Sequence, residues 1–401
     1  MNILFLSSVF PNEIVPTRGC FNESLVRALA TNHRVDVLSP IPWVDLFNAY
    51  RQGLSVPLKR RTCTTEGFEV NYVTFLYSPK VFRRWYGNFY WMSISRTIRS
   101  VVRRRTPDLI ISYWAHPDGE AGVRISRMVG ATSCVIIGGS DVLLMTKKPS
   151  RRRRVVAVLE ATDVVITVND HLKRVVERLG IDPDKVKVWH QGVDVAQFGP
   201  GDSHRSRNRL GISATRGILV WVGHMVPVKG LDILLESCAL LRAQGVDYHL
   251  YLVGDGPLRR GLMAQTETHS LSTHITFVGP KLHDELGDWY RAADLTVLPS
   301  RSEGLPNVLR ESLACGTPFV STNVGGIPEI ADPDCSLLVP PNDPQALADA
   351  IAQGLARWRG KIAQTSTCFQ SWEESVDTLI RIMDPYVNSR SGTASLAAKD
   401  C

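Results

Sequence analysis

Two glutamates, Glu303 and Glu311, lie eight positions apart in the segment EGLPNVLRESLACGTPFV. The residues around them predict a strand, a turn and a helix. Residues 294–298 (DLTVL) form the short buried strand and residues 299–305 the turn. Pro306 suits the first position of the helix that follows. Carboxylates accept hydrogen bonds, so both side chains are candidates to bind a ligand that carries hydroxyl groups.

The start of this helix predicts an anion site. The first N–H groups of a helix have no partner within it, and the helix dipole places partial positive charge there. We therefore expect a diphosphate on the backbone around Leu305, Pro306 and Asn307. Glu311 lies too far along the helix to meet that phosphate and is expected to bind a ribose diol, while Glu303 faces a sugar. The alternative for each glutamate is a solvated charge in the first turns of a helix.

Composition and length are those of a globular enzyme with two or three domains: 401 residues, 44% hydrophobic and 21% charged. No apolar run approaches the ~20 residues that span a bilayer. The opening ILFLSSVF lacks a basic region before it and a small-residue cleavage site after it, so it predicts a buried strand and not a signal peptide. The eight cysteines include no C-x-x-C pair, which favours a reducing cytoplasm over a zinc site or a disulfide framework.

Short hydrophobic strands alternate with amphipathic helices, the pattern of α/β doubly wound sheets. The polar stretch 199–217 suits an interdomain linker, and residues 388–401 are expected to be frayed. The predicted strands are 3–8, 34–40, 108–114, 133–139, 163–168 and 185–192 in the first half, and 218–223, 248–254, 275–279, 294–298 and 318–322 in the second.

Basic residues are concentrated in the first half of the chain. Residues 1–190 contain 28 Lys and Arg against 16 Asp and Glu, whereas residues 191–401 contain 18 against 23. Basic residues interleaved with aromatics suit an anionic membrane surface or a lipid-phosphate acceptor. The alternative is a set of solvated helix faces; nucleic acid is disfavoured because no nucleic-acid-binding motif accompanies the charge. The clusters are Lys59–Arg61, Lys80 to Arg84 followed by aromatics to Trp91, Arg103–Arg105, and Lys147 to Arg154.

The segment EGLPNVLRESLACGTP resembles the E-x7-E signature of the family-4 retaining glycosyltransferases of the GT-B fold, and the resemblance extends over most of the chain. It implies two Rossmann-like doubly wound domains that face a central cleft. The acceptor-binding domain is then 1–198, the linker 199–217 and the nucleotide-sugar domain 218–370. A crossover helix at 371–387 packs on the N-terminal domain, and the tail is 388–401.

In the donor half, WVGHMVPVKGLDILLESCALL (221–241) resembles the family's first strand, loop and helix, with Gly223 in the loop. Lys229 precedes the helix and is expected to pair with the diphosphate. His224 stands where the family usually has arginine, whose bidentate phosphate contact a neutral imidazole cannot reproduce. Either His224 donates one hydrogen bond or Lys229 contributes more of the phosphate binding.

Two further turns of the donor half resemble family elements. VGDGPLRRGL (253–262) supplies Gly254 in a tight turn, but Arg259 stands where a dinucleotide-binding motif has its third glycine. FVGPKL (277–282) resembles the loop that contacts the nucleobase through main-chain groups, here at Val278 and Gly279.

In the first half, PTRGCFNESLVRALA (16–30) occupies the place of the family's glycine loop, with Arg18–Gly19 where many members carry two glycines. SYWAHPDGEAG (112–122) resembles the strand-end histidine segment, and GGSDV (138–142) its G-S-D turn. His116 is therefore the candidate to contact the transferred sugar and to shape the acceptor site. The alternative is a structural histidine.

The resemblance implies a retaining glycosyltransferase of cell-surface polysaccharide or glycolipid biosynthesis. Because the sequence shows no cluster of metal ligands, the enzyme is expected to be metal-independent, and its basic and aromatic clusters predict a peripheral position at the inner face of the membrane. It would move a sugar from a UDP- or GDP-linked donor to a glycan or lipid-linked acceptor, with Glu303, His116 and Lys229 catalytic. No cofactor is expected, and the D-x-D triplets at 182–184 and 332–334 predict turns because their central residue is proline. The alternatives are a nucleotide-sugar epimerase of the same fold and a non-catalytic basic membrane-surface adaptor.

Overall fold

The computed structural model of the protein describes residues 1–51, 53, 61–65, 67–78, 85–213, 215–362 and 369–397. The chain divides into two compact units, Met1–Gly192 with Trp372–Cys401 and Val193–Ser371. Some residues of the sequence predictions lie outside the described residues: Lys59, Arg60, Lys80, Arg83 and Arg84 of the basic clusters, position 214 of the linker and positions 398–401 of the tail.

The first unit contains an eight-stranded sheet in the order β3-β4-β2-β1-β5-β6-β7-β8, in which β3 is antiparallel to β4 and the other pairs are parallel. Its strands are β1 (Asn2–Leu6), β2 (Arg34–Pro42), β3 (Arg61–Thr65), β4 (Phe68–Phe75), β5 (Leu109–Tyr113), β6 (Thr132–Ile137), β7 (Val164–Thr167) and β8 (Val186–Val188). Its helices are α1 (Cys20–Asn32), α2 (Trp43–Arg51), α3 (Tyr86–Arg104), α4 (Glu120–Val129), α5 (Ser140–Leu143), α6 (Pro149–Ala161), α7 (Asp170–Arg178) and α14 (Trp372–Ala397).

The second unit contains a six-stranded parallel sheet in the order β11-β10-β9-β12-β13-β14. Its strands are β9 (Gly217–Val222), β10 (Tyr248–Val253), β11 (Ile275–Gly279), β12 (Leu295–Leu298), β13 (Phe319–Thr322) and β14 (Ser336–Val339). Its helices are α8 (Ser203–Leu210), α9 (Leu231–Ala243), α10 (Arg259–Thr268), α11 (Leu286–Ala292), α12 (Asn307–Ala314) and α13 (Pro344–Trp358).

The predicted fold class of two doubly wound α/β sheets is confirmed. Every predicted strand is present, but β3, β4 and β14 were missed. The central strands are rich in apolar residues because helices cover both faces of a parallel sheet; all five residues of β5 are buried. In contrast, β14 has only four residues, of which two are half-buried, so its hydrophobic signal is weak.

The strand order fixes where each unit gathers its loops. In the first unit the chain runs from β1 outward through β2 and then starts again at β5 on the other side of β1. In the second unit the same reversal lies between β9 and β12. Ligands of open α/β sheets bind beyond the carboxyl ends of the strands at such a switch point. The turns that follow β1, β5, β9 and β12 are therefore the places to look for a site.

The segment 199–217 forms part of the second unit instead of an open linker, and the boundary between units lies at residue 192 instead of 198. It contains α8, which Asp202 caps by accepting hydrogen bonds from two backbone N–H groups. Arg207 of α8 is buried, lies 3.0 Å from the Asp294 carboxylate and donates to the backbone oxygen of Ala292. The segment is polar in composition, so the sequence did not indicate that Arg207 would be buried.

Helix α14 lies in the first unit and extends beyond the predicted end at residue 387. Apolar side chains on one face of this helix are buried, including Trp372, Leu379 and Met383. The Trp189 indole donates to the backbone oxygen of Ser375 at 2.8 Å. These contacts attach the C-terminal segment to the unit that contains the N terminus.

Arg207→Ala should destabilise the second unit strongly, because it leaves the buried Asp294 carboxylate without its cation. Removing one partner of a buried ion pair typically costs about 3–5 kcal/mol. Thermal unfolding followed by circular dichroism measures the effect. Arg205→Ala, at an exposed position of the same helix, is the control and should leave the transition nearly unchanged. Equal, small shifts in both variants would contradict the structural role of the pair.

Candidate functional site

Backbone atoms crowd together where β9, β10 and β11 end. The Gly254 N–H donates to the Gly279 oxygen at 2.8 Å, and the Gly223 N–H donates to the Val253 oxygen at 3.0 Å. A Cβ atom on Gly254 would lie 1.9 Å from the Gly223 oxygen, and Gly254 also has a φ of 136°. Only glycine fits this arrangement. The structure thus brings together three of the predicted turn residues, with Val278 directly before Gly279.

Lys229 and Glu303 are in contact although 73 residues separate them in the sequence. The Lys229 Nζ atom lies 2.6 Å from Oε1 of Glu303, and the Ser300 hydroxyl donates to the same oxygen at 2.6 Å. The Lys229 side chain is 23% exposed and that of Glu303 10%. One positive and one negative group, each partly exposed, therefore lie at the turn that precedes α12.

Arg301 holds the two turns that carry this pair, and the sequence analysis missed it. Its guanidinium donates to both carboxylate oxygens of Asp232 at 2.9 and 2.6 Å, and to the Pro227 oxygen at 2.6 Å. Its backbone N–H donates to the Val228 oxygen at 2.7 Å. Partial burial would raise the pKa of Asp232, but Arg301 lowers it overall. Arg301 thereby fixes the Lys229 turn against the Glu303 turn.

Helix α12 begins at Asn307, so Pro306 occupies the N-cap instead of the predicted first helical position. No side chain caps this end and no acidic residue lies in its first turn. Geometry leaves the first N–H groups of a helix without helical partners. The preceding loop, which includes Leu305, is supported from β13, because the Gly326 N–H donates to the Gly304 oxygen at 2.9 Å. These features suit an anion beside Lys229.

Glu311 is buried, not a solvated charge. The His283 Nε2 atom lies 3.0 Å from Oε1 of Glu311, and the Tyr290 hydroxyl donates to Oε2 at 2.8 Å. Burial and the Glu311 charge raise the pKa of Tyr290 well above its ordinary value, so the phenol stays a donor. The sequence analysis missed His283 and Tyr290. In the sequence, the indication that His283 and Tyr290 act together is their spacing of seven residues, which corresponds to two helical turns.

His283 carries a pKa above the ordinary histidine value. Burial alone would lower that pKa, but the hydrogen bond to Glu311 and the negative charges of Glu311, Asp194 and Asp284 raise it. The imidazole also makes an edge contact with the Phe198 ring, with centroids 5.0 Å apart. His224, the other predicted donor-site histidine, is exposed in the turn after β9.

In the first unit, His116 follows β5 in the turn Ala115–Gly119 and is buried. Its Nδ1 atom lies 3.0 Å from Oε2 of Glu120. Burial would raise the pKa of Glu120, but His116, Arg124 and Arg154 lower it overall. A Cβ atom on Gly87 of α3 would lie 2.4 Å from the Glu120 carboxylate, so a glycine there leaves room for it. The predicted histidine thus lies beside a carboxylate.

Two buried carboxylates tie the turns of the first unit together. Burial raises the pKa of Asp118 to about 7, and this carboxyl accepts hydrogen bonds from the backbone N–H and hydroxyl of Ser8 and from the hydroxyl of Tyr90. Burial raises the pKa of Asp141 to about 6, and Asp141 accepts from the Gly139 N–H at 3.0 Å. Sequence reasoning had noted the GGSDV turn but not Asp118 or Tyr90.

The glycine loop around Gly19 packs closely against the backbone at Val9, although it contains one glycine where many family members have two. Gly19 has a φ of 68°, and a Cβ atom there would lie 2.3 Å from the Val9 oxygen. The Asn22 side chain donates to the same oxygen at 2.6 Å. Arg18, which stands where a second glycine is common, lies 2.6 Å from the Asp45 carboxylate. One glycine is therefore sufficient for the contact between this loop and the end of β1.

Both D-x-D triplets lie in turns, as predicted. The Asp182 side chain accepts a hydrogen bond from the Asp184 N–H at 3.0 Å, and Asp332 accepts from the Asp334 N–H at 2.9 Å. Among the described residues, no group of three His, Cys, Asp or Glu side chains is arranged to hold a metal ion.

The whole chain resembles solved structures of one fold class, the GT-B glycosyltransferases. Sucrose-phosphate synthase from Thermosynechococcus elongatus aligns with a TM-score of 0.81 and 21% identity over 97% of this chain and 100% of that one. HepE from Anabaena, in complex with UDP and glucose, aligns with a TM-score of 0.72 and 17% identity over 96% and 99%. At such identities the likeness establishes the fold.

The sequence matches two family models, Glycosyltransferase Family 4 over residues 21–197 and Glycosyl transferases group 1 over residues 216–357. The chain belongs to these glycosyltransferases. D-inositol 3-phosphate glycosyltransferases from Mycobacterium bovis and Mycobacterium tuberculosis are 33% identical over 236 residues, which is 55% of this chain and 48% of those proteins. The chain thus spans about half the length of the curated relatives it matches.

His283→Gln keeps a hydrogen-bond donor beside Glu311 but removes the titrating group. Because the folded protein raises the pKa of His283, protonated His283 stabilises the fold below the ordinary value of 6.5, and this contribution disappears as the pH rises through the raised pKa. The substitution should therefore lower the melting temperature more at about pH 5.5 than at about pH 9. Thermal unfolding at both pH values measures this. His204→Gln, at an exposed position of α8, is the control, and equal losses at both pH values for His283→Gln would contradict the assignment.

Proposed function

We propose that the protein is a retaining glycosyltransferase that moves a sugar from a UDP- or GDP-linked donor to a hydroxyl of a glycan or lipid-linked acceptor. The observation that carries the proposal is the contact of Lys229 with Glu303 beside the uncapped start of α12, with buried Glu311 one turn further along that helix. A diphosphate needs positive charge, which Lys229 would supply. The sugar and the ribose each need a group that accepts hydrogen bonds from hydroxyls, which Glu303 and Glu311 would supply.

Each donor-site residue has one proposed role. Lys229 and the N–H groups at the start of α12 stabilise the departing diphosphate as its negative charge develops. Glu303 receives the sugar hydroxyls on the carboxylate oxygen that Lys229 and Ser300 leave open, and its charge balances an oxocarbenium-like transition state. Glu311 binds the ribose, and the main chain at Val278 and Gly279 contacts the base.

The acceptor side belongs to the first unit, and His116 is its proposed contact with the transferred sugar. His116 is buried and its Nδ1 atom lies 3.0 Å from the Glu120 carboxylate, and such close surroundings suit a side chain that must keep one orientation. The family is usually assigned attack on the same face of the sugar, with the departing phosphate assisting the acceptor's proton loss. No protein nucleophile is therefore proposed.

The reaction is proposed to need no metal ion. Lys229 and the uncapped start of α12 support this proposal, because they would supply the positive charge that a divalent cation supplies to the diphosphate in metal-dependent glycosyltransferases. UDP-sugars are the first donors to test because HepE is named as a complex with UDP-glucose. D-inositol 3-phosphate belongs in the acceptor panel because the curated relatives are named for it.

Transfer assays with UDP- and GDP-sugars, run in EDTA against lipid-linked saccharides and D-inositol 3-phosphate, test the function. An α-linked donor should give an α-linked product, measured by the NMR coupling constant of the anomeric proton. Glu303→Gln should lower kcat far more than it weakens binding of the nucleoside diphosphate, because its interaction develops in the transition state. Lys229→Ala should weaken that binding by about 1–3 kcal/mol.

Four outcomes would contradict parts of this proposal. A β-linked product would exclude retention, and activity that disappears in EDTA and returns with manganese would exclude metal independence. Conversion of the donor without any acceptor would identify an epimerase. Absence of nucleotide binding would favour a non-catalytic adaptor. Lys173→Ala, which removes a partly exposed lysine of α7 paired with Glu177, is the matched control for Lys229→Ala.

We further propose that the first unit binds an anionic membrane surface through α3, which would place the enzyme peripherally at the inner face of the membrane. The exposed residues Trp85, Met92, Arg96, Arg99 and Arg103 follow the helical period and form one stripe along α3. Trp85 is 46% and Met92 72% exposed. Apolar side chains at one end and arginines along the rest suit lipid headgroups. Within the described residues, no helix is long and apolar enough to cross a bilayer.

The triple variant Arg96→Gln, Arg99→Gln, Arg103→Gln should lose binding to vesicles of phosphatidylcholine and phosphatidylglycerol, measured by sedimentation. Wild-type binding should be strong at low salt and weak at high salt, because exposed charges are screened over about 10 Å at 0.1 M. The control removes the same charge from the second unit at exposed positions: Arg205→Gln, Arg242→Gln, Arg260→Gln. Equal loss in both triple variants would show an effect of net charge alone, and salt-insensitive binding would exclude the electrostatic contact.

A further inference from the structure

We infer that His283 and Tyr290 are positioning residues that orient the Glu311 carboxylate toward the two ribose hydroxyls of the donor nucleotide. The inference rests on the proposed function, because it assigns Glu311 to the ribose. Neither residue belongs to the E-x7-E segment, and neither would touch the sugar or the reacting atoms. His283 and Tyr290 would affect binding of the donor nucleotide only by orienting Glu311.

Each oxygen of the Glu311 carboxylate accepts a hydrogen bond from a different side chain. His283 engages Oε1 at 3.0 Å and Tyr290 engages Oε2 at 2.8 Å, and in the described part of the chain these are the two hydrogen bonds that Glu311 accepts. An ionised carboxylate has about four acceptor positions. Each oxygen therefore keeps capacity for one further hydrogen bond, which matches the two neighbouring hydroxyls of a ribose.

A glutamate needs such donors to hold one orientation. The last torsion of a glutamate side chain is broad, so packing alone does not fix the plane of the carboxylate. Two donors on different oxygens fix that plane. A buried carboxylate without one of them would carry an unsatisfied acceptor, and rotation or protonation would relieve it at the expense of ribose binding.

Both donors are themselves held by packing. Tyr290 is fully buried in α11, and its backbone oxygen accepts a hydrogen bond from the Thr317 hydroxyl at 2.8 Å. The ring of Phe198 lies 5.0 Å from the His283 ring and 6.0 Å from the Tyr290 ring, centroid to centroid. The backbone oxygen of His283 accepts from the Gln197 side chain. The segment around Phe198, which precedes α8, thus braces both donors from one side.

The test compares UDP and GDP with their 2′,3′-dideoxy counterparts, which lack the hydroxyls that Glu311 would bind. Wild-type protein should bind the better ribonucleotide roughly tenfold or more tightly than its dideoxy form. His283→Phe and Tyr290→Phe each keep a ring and remove one donor. Each should reduce this ratio several-fold while leaving the dissociation constant of the dideoxy nucleotide within about twofold. His283→Gln, which restores a donor, should recover most of the ratio.

Tyr248→Phe is the matched control. It removes another buried tyrosine hydroxyl in the same unit, one that donates to the Cys238 oxygen at 2.6 Å and lies apart from Glu311 in the hydrogen-bond network. It should lower the melting temperature and leave the ratio unchanged. If His283→Phe and Tyr290→Phe behave in the same way, the two residues are structural only and the inference is overturned.

The remaining outcomes separate the inference from the proposed function. A wild-type ratio near one, with tight binding of UDP or GDP, would overturn the inference and leave the nucleotide-sugar site in place. Absence of binding of either ribonucleotide would overturn the proposed function itself. Since each phenylalanine variant removes the donor from a different oxygen of Glu311, a ratio measured on either one decides the question if the other does not fold.

Discussion

Close backbone contact at the carboxyl ends of the parallel strands is the constraint on which the donor unit depends. Gly254 lies against the Gly223 oxygen, and Gly230, with a φ of 64°, lies against the Pro299 oxygen, where a Cβ atom would be 2.1 Å away. These contacts join turns that follow β9, β10 and β12. Because the turns are pressed together, a lysine from one can reach a glutamate on another. The site is a consequence of how closely the strand ends pack.

In the donor unit, Glu303 and Glu311 use only part of their hydrogen-bonding capacity on protein groups. Glu303 uses one oxygen for Lys229 and Ser300, and Glu311 uses one acceptor position on each oxygen for His283 and Tyr290. Charged hydrogen bonds of this kind are short and directional. They keep the carboxylates oriented and leave acceptor capacity for hydroxyl groups. The same arrangement explains how Glu311 can be buried, and the Glu303 side chain only 10% exposed, close to the uncapped start of α12.

The first unit uses buried carboxylates differently. Asp118 and Asp141 each accept three hydrogen bonds from the protein, and burial raises the pKa of both toward neutrality. Asp118 joins the end of β1 to the turn after β5, and Asp141 lies in the turn after β6. Both carboxyl groups support the loop that carries His116, and we propose no hydrogen bond from either of them to a ligand. Buried acids near a site are thus not all part of its chemistry.

The features that depend on near neighbours could be predicted from the sequence: the alternation of strands and helices, a helix that starts within one residue of Pro306 and the candidate pair of glutamates. Hydrophobic periodicity and turn residues act over a few positions, so they are visible in a linear pattern. Only the tertiary structure decided the contact between Lys229 and Glu303, the bracing of Glu311 by His283, and the place of α8 in the second unit. Those contacts join distant residues, and which distant residues meet depends on strand order and on register.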